Sequence, residues 1–201
     1  MNVILDYDVG NLDSVKRGFE RAGIETIVTK DVTLIQAATS LILPGVGAFN
    51  EAMKSLKKSG LIPLIEAHVK NNKPLFGICL GMQLLYQQSE ENGLYDGLGF
   101  LKGTIKPIQT SLKVPHMGWN QLKFEKPSHP LLKYIKENDY VYFVHSYYVA
   151  SDFKDVVAYT DYGINIPAIV AEKNIFATQF HPEKSAEVGL KILKAFGEMI
   201  E

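Results

Sequence analysis

Two patterns in the sequence predict an α/β protein with a mainly parallel central sheet, flanking helices and an antiparallel extension in the second half. Up to residue 89, short apolar runs alternate with segments whose apolar residues recur at helical spacing, as in strands joined by crossover helices. From Gly99 onward, strand-like runs follow one another with few helical signals between them. At 201 residues the chain can bury a sizeable core and reads as one domain spanning 1–201.

Val3 to Tyr7 is the first apolar run, and Leu12, Val15, Phe19 and Ala22 then fall on one face of a helix that Gly23 ends. Ile24 to Val28 is a second strand. Leu41 to Leu43 is a third, running into Pro44-Gly45-Val46-Gly47. Phe49, Ala52, Met53 and Leu56 give the next helix, complete by Gly60, and a further helix runs from about Pro63 to Asn71. The run Lys73-Pro74-Leu75-Phe76 is a buried strand leading into Gly77-Ile78-Cys79-Leu80-Gly81, after which Met82, Leu84, Leu85 and Tyr86 suit the first turns of a helix. Strands are then expected at Leu101 to Ile108, Trp119 to Phe124, Tyr140 to Val144, Val156 to Thr160, Ile166 to Ala171 and Ile175 to Phe180. Val188, Ile192, Phe196 and Met199 stripe a closing helix.

A hydrophobic content of 46%, a charged content of 21% and a net charge of −1 describe an ordinary globular chain, without the basic bias that nucleic acid or an anionic membrane would favour. A lone cysteine cannot form an internal disulfide. The N-terminal residues lack the basic head and long apolar stretch of a secretory signal, so the cytoplasm is the expected location.

That cysteine, Cys79, stands at a strand-to-helix corner with a glycine two positions away on each side. Such a corner is tight, and glycines let neighbouring backbone approach without a Cβ in the way. The positive end of the helix dipole favours a thiolate there, the reactive form. A lone cysteine is equally at home as a small buried hydrophobe, so the corner alone does not decide. The Gly45-Val46-Gly47 loop ends a neighbouring strand, where ligands bind in parallel sheets; its N–H groups could stabilise an oxyanion or cradle a phosphate, or the loop could be plain turn punctuation.

Of five histidines, His68 and His129 read as solvated, and His116 and His145 as packing or interface residues. His181 follows the last strand directly and precedes Pro182-Glu183. Proline restrains the backbone there, presenting His181 and Glu183 on roughly one side, so the carboxylate can orient the imidazole towards a thiol. The alternative is a strand end in which Glu183 merely favours a helix N-terminus.

Taken together, Pro44-Gly45-Val46-Gly47, Gly77-Ile78-Cys79-Leu80-Gly81-Met82-Gln83 and Gln179-Phe180-His181-Pro182-Glu183 resemble the class I, triad-type glutamine amidotransferases. Within that family, Pro115-His116-Met117-Gly118-Trp119-Asn120, Tyr142-Phe143-Val144-His145-Ser146-Tyr147 and Asp6-Tyr7-Asp8-Val9-Gly10-Asn11-Leu12 are similar to the glutaminase subunits of imidazole glycerol phosphate synthases. Those subunits commonly carry glycine where Asp8 stands. The resemblance implies hydrolysis of L-glutamine through a Cys79 thioester, with His181 and Glu183 completing a triad and the N–H groups of Val46 and Leu80 forming an oxyanion hole. It assigns Gly47, Gln83, Ser146 and Tyr147 to the amino-acid end of the substrate. It also implies that ammonia passes to a separate (β/α)8-barrel cyclase, with Met117, Trp119, Tyr142 and Lys184 as candidate interface residues or else ordinary aromatic packing. No cofactor and no metal is expected. A cysteine peptidase or γ-glutamyl hydrolase acting alone, or a non-enzymatic regulatory subunit, are the competing readings.

Overall fold

The computed structural model describes residues 1–200. In chain order its elements are β1 (Asn2–Leu5), α1 (Leu12–Arg21), β2 (Thr26–Thr29), α2 (Val32–Ala37), β3 (Ser40–Leu43), α3 (Phe49–Lys58), α4 (Ile62–Lys70), β4 (Leu75–Ile78), α5 (Leu80–Leu84), β5 (Tyr86–Ser89), β6 (Tyr95–Asp96), β7 (Leu101–Pro107), β8 (His116–Gln121), β9 (Lys123–Phe124), β10 (Tyr140–His145), β11 (Tyr147–Ala150), β12 (Val156–Asp161), β13 (Asn165–Glu172), β14 (Ile175–Thr178) and α6 (Ala186–Ile200).

The central sheet has eight strands in the order β2-β1-β3-β4-β14-β13-β12-β9. The pairings from β2 to β14 are parallel, and β13, β12 and β9 extend the sheet antiparallel. Successive strand residues point to opposite faces, which builds two cores. Val3, Leu5, Leu41, Leu43 and Leu75 pack on one side with Phe49, Leu56 and Ile65. Ile4, Ile42, Phe76 and Ile78 pack on the other with Phe19, Ile192 and Phe196. On that second side Phe76 lies 4.7 Å, centroid to centroid, from Phe196 of α6 and meets Phe19 of α1 edge-on.

The helices begin and end for local reasons. The Asn11 side chain accepts from Ser14 N at the start of α1, and Gly23, at φ +85°, turns the chain out of it. Helix α2 was absent from the expected elements; its apolar stripe is too short to read, and Asp31 starts it by accepting from Leu34 N. Asp8 has φ +65°, a left-handed conformation that glycine adopts freely and aspartate tolerates.

Several expectations are corrected. The first strand stops at Leu5 rather than Tyr7, the second runs Thr26–Thr29 rather than from Ile24, and the last stops at Thr178 rather than Phe180. Tyr86 is not helical: α5 closes at Leu84, and Tyr86 enters β5. The run at 101–108 does not extend the central sheet but joins a four-stranded sheet, β11-β7-β5-β6. The run Trp119 to Phe124 is split between β8, which pairs only with β10 in a two-stranded ribbon, and β9 at the edge of the central sheet. Such pairings join segments far apart in sequence, and local pattern carries no record of them. No helix among the described residues is long and apolar enough to cross a membrane.

Candidate active site

Parallel pairing of β14 with β4, Thr178 opposite Ile78, places the residues after both strands side by side. Cys79 N–H donates to Thr178 O at 2.7 Å, so the corner is anchored to the strand that delivers His181. Cys79 itself has φ +53° and ψ −111°. A non-glycine residue held there costs about 1–3 kcal/mol and persists only where its surroundings fix it. The surrounding glycines do so. A Cβ on Gly81 would lie 1.9 Å from Leu43 O, one on Gly45 2.8 Å from Gly81 N, and one on Gly77 2.9 Å from Met82 N. The loop after β3 thus closes directly on the corner, and Tyr7 fixes it by donating its hydroxyl proton to Pro44 O at 2.5 Å. Burial raises the Tyr7 pKa, and the nearby Cys79 sulfur raises it further.

Glu183 sits in a short 3-10 turn, Pro182–Lys184, and His181 is the residue that opens it. His181 Nδ1 lies 2.8 Å from Glu183 Oε1, with both side chains almost wholly enclosed. The turn is tied to β10 and α6: His181 N–H donates to Tyr142 O at 3.2 Å, Ser185 Oγ donates to His181 O at 2.7 Å, and Tyr142 N–H donates to Ser185 Oγ at 2.9 Å. Helix α1 presses on it from below, since a Cβ on Gly18 would come within 2.6 Å of Glu183 Cβ. Burial opposes a charge on His181, but hydrogen bonding to Cys79 and Glu183 outweighs burial and lifts its pKa to about 9. The carboxylate thus holds the ring, and the ring and the Cys79 sulfur open on one cavity.

That cavity, of about 300 Å³, is lined by Val46, Gly47, Cys79, Leu80, Gln83, Glu91, Val144, His145, Ser146, Tyr147, His181 and Lys184. All the residues expected at the triad, the oxyanion hole and the amino-acid end lie here, apart from Glu183, which stands behind His181. Leu80 opens α5, so its N–H belongs to the first turn, where donors have no intrahelical partner. Gly47, at φ +92°, has open space where a Cβ would project.

Two contributors escaped the sequence reading. Gln179, fully buried, donates from Nε2 to the Cys79 sulfur at 3.8 Å and accepts on Oε1 from Gln83 Nε2 at 3.0 Å. Gln83 Nε2 also donates to Tyr147 O at 3.0 Å, so both of its protons are spent within the wall. Glu91 accepts from Phe49 N–H at 2.8 Å and caps α3 in place of Ala48, which offers no side-chain cap. Gln179 adjoins His181 in a recognisable motif, which was an available signal; Glu91 lies in a hairpin with none.

The other histidines divide. His68, expected in solvent, is buried with Nε2 3.0 Å from Pro74 O, because α4 packs back on the start of β4; burial lowers its pKa to about 4. His129, also expected in solvent, is half-buried and accepts from Leu131 N–H through Nδ1. His116 and His145 are buried packing residues, as expected. Of the candidate interface residues, Met117 (61% exposed), Trp119 (52%) and Lys184 stand in solvent, while Tyr142 is half-buried and meets Trp119 edge-on at 6.0 Å.

Residues 3–199 match the family model of glutamine amidotransferase class-I. The chain is 52% identical over 199 residues to the imidazole glycerol phosphate synthase subunit HisH of Lactococcus lactis, spanning 98% of both chains, and 50% identical to the protein of that name from Caldanaerobacter subterraneus, again spanning 98% of both. In fold it is similar to the structure of PurLQS from Thermotoga maritima, with a TM-score of 0.77 at 20% identity over 100% of this chain and 98% of that one.

Proposed function

This chain belongs to the class-I glutamine amidotransferases, among them to the HisH subunits of imidazole glycerol phosphate synthase, and from that premise we propose that it is the glutaminase subunit supplying ammonia for histidine biosynthesis in the cytoplasm. The observation that carries the chemistry is the convergence of Cys79, His181 and Glu183 beside one cavity.

In the proposed reaction the Cys79 thiol passes its proton to His181 and attacks the side-chain carbonyl carbon of L-glutamine as the thiolate, forming an S–C bond and an oxyanion. The N–H groups of Leu80 and Val46 stabilise that oxyanion, each worth roughly 3 kcal/mol. His181, with Glu183 holding Nδ1, gives its proton to the departing nitrogen; the C–N bond breaks, ammonia leaves and a glutamyl thioester remains. Water then adds, His181 takes its proton, the S–C bond breaks and glutamate leaves. Gln179 orients the sulfur. Gly47, Gln83 and the Ser146–Tyr147 backbone frame the amino-acid end, where Glu91 is placed to balance the substrate's α-ammonium.

Ammonia released into neutral water becomes non-nucleophilic ammonium, so a second subunit has to receive it directly. We assign that role to a (β/α)8-barrel cyclase, docked over Met117, Trp119, Tyr142 and Lys184, the last of which lies on the cavity rim. Exposed tryptophan, methionine and tyrosine are frequent anchors of such interfaces. Gly45 and Gly47 permit the Val46 peptide to turn when the cyclase binds its nucleotide. The test is glutamate release by the purified chain with and without the cyclase and its nucleotide. Slow release alone and faster release in the complex are expected. Rapid cleavage of peptides or γ-glutamyl conjugates by the chain alone would contradict the reading, as would the absence of glutamate release in the complex.

A further inference from the structure

The β8–β10 ribbon has two faces. Met117 and Trp119 point outward, and His116 and Asn120, which flank them in sequence, point inward. Inside, His116 is stacked between the rings of Tyr162, at 3.9 Å, and Phe143, at 4.6 Å, so it cannot turn. Its Nδ1 lies 3.0 Å from His145 Nε2, and its Nε2 lies 3.2 Å from Asn120 Nδ2.

Backbone groups at both ends fix every proton in this chain of bonds. His145 Nδ1 lies 2.8 Å from Tyr147 O, an acceptor only, so Nδ1 carries the proton and Nε2 accepts. His116 must therefore donate from Nδ1 and accept at Nε2. At the far end, Asn120 Oδ1 accepts from Gln121 N–H at 2.8 Å, which sets the amide so that Nδ2 donates both to His116 and to Asp161 O. An added proton on either ring would face another donor. In keeping with that, burial lowers the pKa of His116 to about 4 and of His145 to about 3.

Tyr147 O, where the chain of bonds ends, also accepts from Gln83, which leads through Gln179 to the Cys79 sulfur. Donors run one way from Asn120 to Tyr147 O, where the run meets the donor Gln83, so an unbroken series of hydrogen bonds joins the strand bearing Met117 and Trp119 to the cavity wall. We propose that His116 and His145 are a neutral positioning pair that couples the partner-facing strand to the Tyr147 peptide, so that seating the cyclase on Met117 and Trp119 tightens the glutamine site. This rests on the proposed function, since it needs glutaminase activity raised by that partner.

Two measurements test it. In the complex, His116→Phe keeps the stacked ring but loses both bonds; the ratio of kcat/KM with cyclase to that without should fall about tenfold, mainly through a raised KM for glutamine, with cyclase affinity unchanged. His116→Asn, which keeps a donor near the Nδ1 position, should restore part of the ratio. Separately, 15N NMR of the native chain at neutral pH should find both rings protonated at Nδ1 alone. Undiminished stimulation of a cyclase-bound His116→Phe chain would overturn the proposal, as would His145 protonated at Nε2 or a doubly protonated ring; the NMR result stands even where a variant does not fold. Wild-type chain that shows no stimulated glutamate release would instead mark failure of the proposed function itself.

Discussion

His181 and His145 are both buried, sit on adjoining segments and line the same cavity, yet their charges are set in opposite directions. His181, between a thiol and a carboxylate, is lifted to a pKa of about 9. His145, between a carbonyl and a second imidazole, is pushed down to about 3, burial being the main cause. Burial alone depresses an imidazole, so the partners decide. One region of the pocket is thereby equipped to move protons, and the other to hold position without exchanging them.

Removing a partner from the first region should break the contrast most severely. Cys79→Ala abolishes glutamate release, because no other thiol exists in the chain, and Cys79→Ser retains at most a trace. Glu183→Gln takes away the carboxylate 2.8 Å from Nδ1; turnover drops roughly a hundredfold, and the alkaline limb of the pH profile moves below about pH 9, where His181 now loses its proton.

Stability against pH sharpens the same contrast. His68 and His116 take up a proton near pH 6.5 when unfolded but only near 4 when folded, and His145 near 3. The unfolded chain then binds more protons across that range, so stability is full above pH 6.5 and falls as pH drops. Each contributes on the order of 2 kcal/mol of loss by pH 5, read as a lower urea midpoint than at pH 7. His181 has the opposite sign: its contribution is full below pH 6.5 and is lost as pH rises through about 9.

Smaller effects come from the backbone. Gly18→Ala forces a Cβ to within 2.6 Å of Glu183 Cβ, costing about 1–3 kcal/mol of stability and lowering turnover more than it raises KM. Asp8→Gly relieves the left-handed φ of +65° and raises the melting temperature slightly, by under about 1 kcal/mol of stability.

The proton-moving region was largely legible in the sequence. Cys79 between Gly77 and Gly81, and His181 two residues before Glu183, are local patterns whose geometry follows from strand-to-helix turns and from proline. The positioning region was not. His116 and His145 read only as packing or interface residues, because their bond depends on β8 pairing with β10 across a separation of 29 residues. Gln179 meets Cys79 across a separation of 100 residues, and His68 is buried by the path of α4 rather than by its neighbours in the chain. The strand at Tyr86 and the separate sheet around β7 were hidden for the same reason, since partners remote in sequence leave no periodicity behind.

The most direct measurement is capture of the acyl intermediate. Chain and cyclase mixed with glutamine and quenched in acid within one turnover should carry a glutamyl group on the peptide containing Cys79, labile to hydroxylamine as a thioester is. An adduct on another residue, or glutamate formed at full rate by Cys79→Ala, would contradict the account.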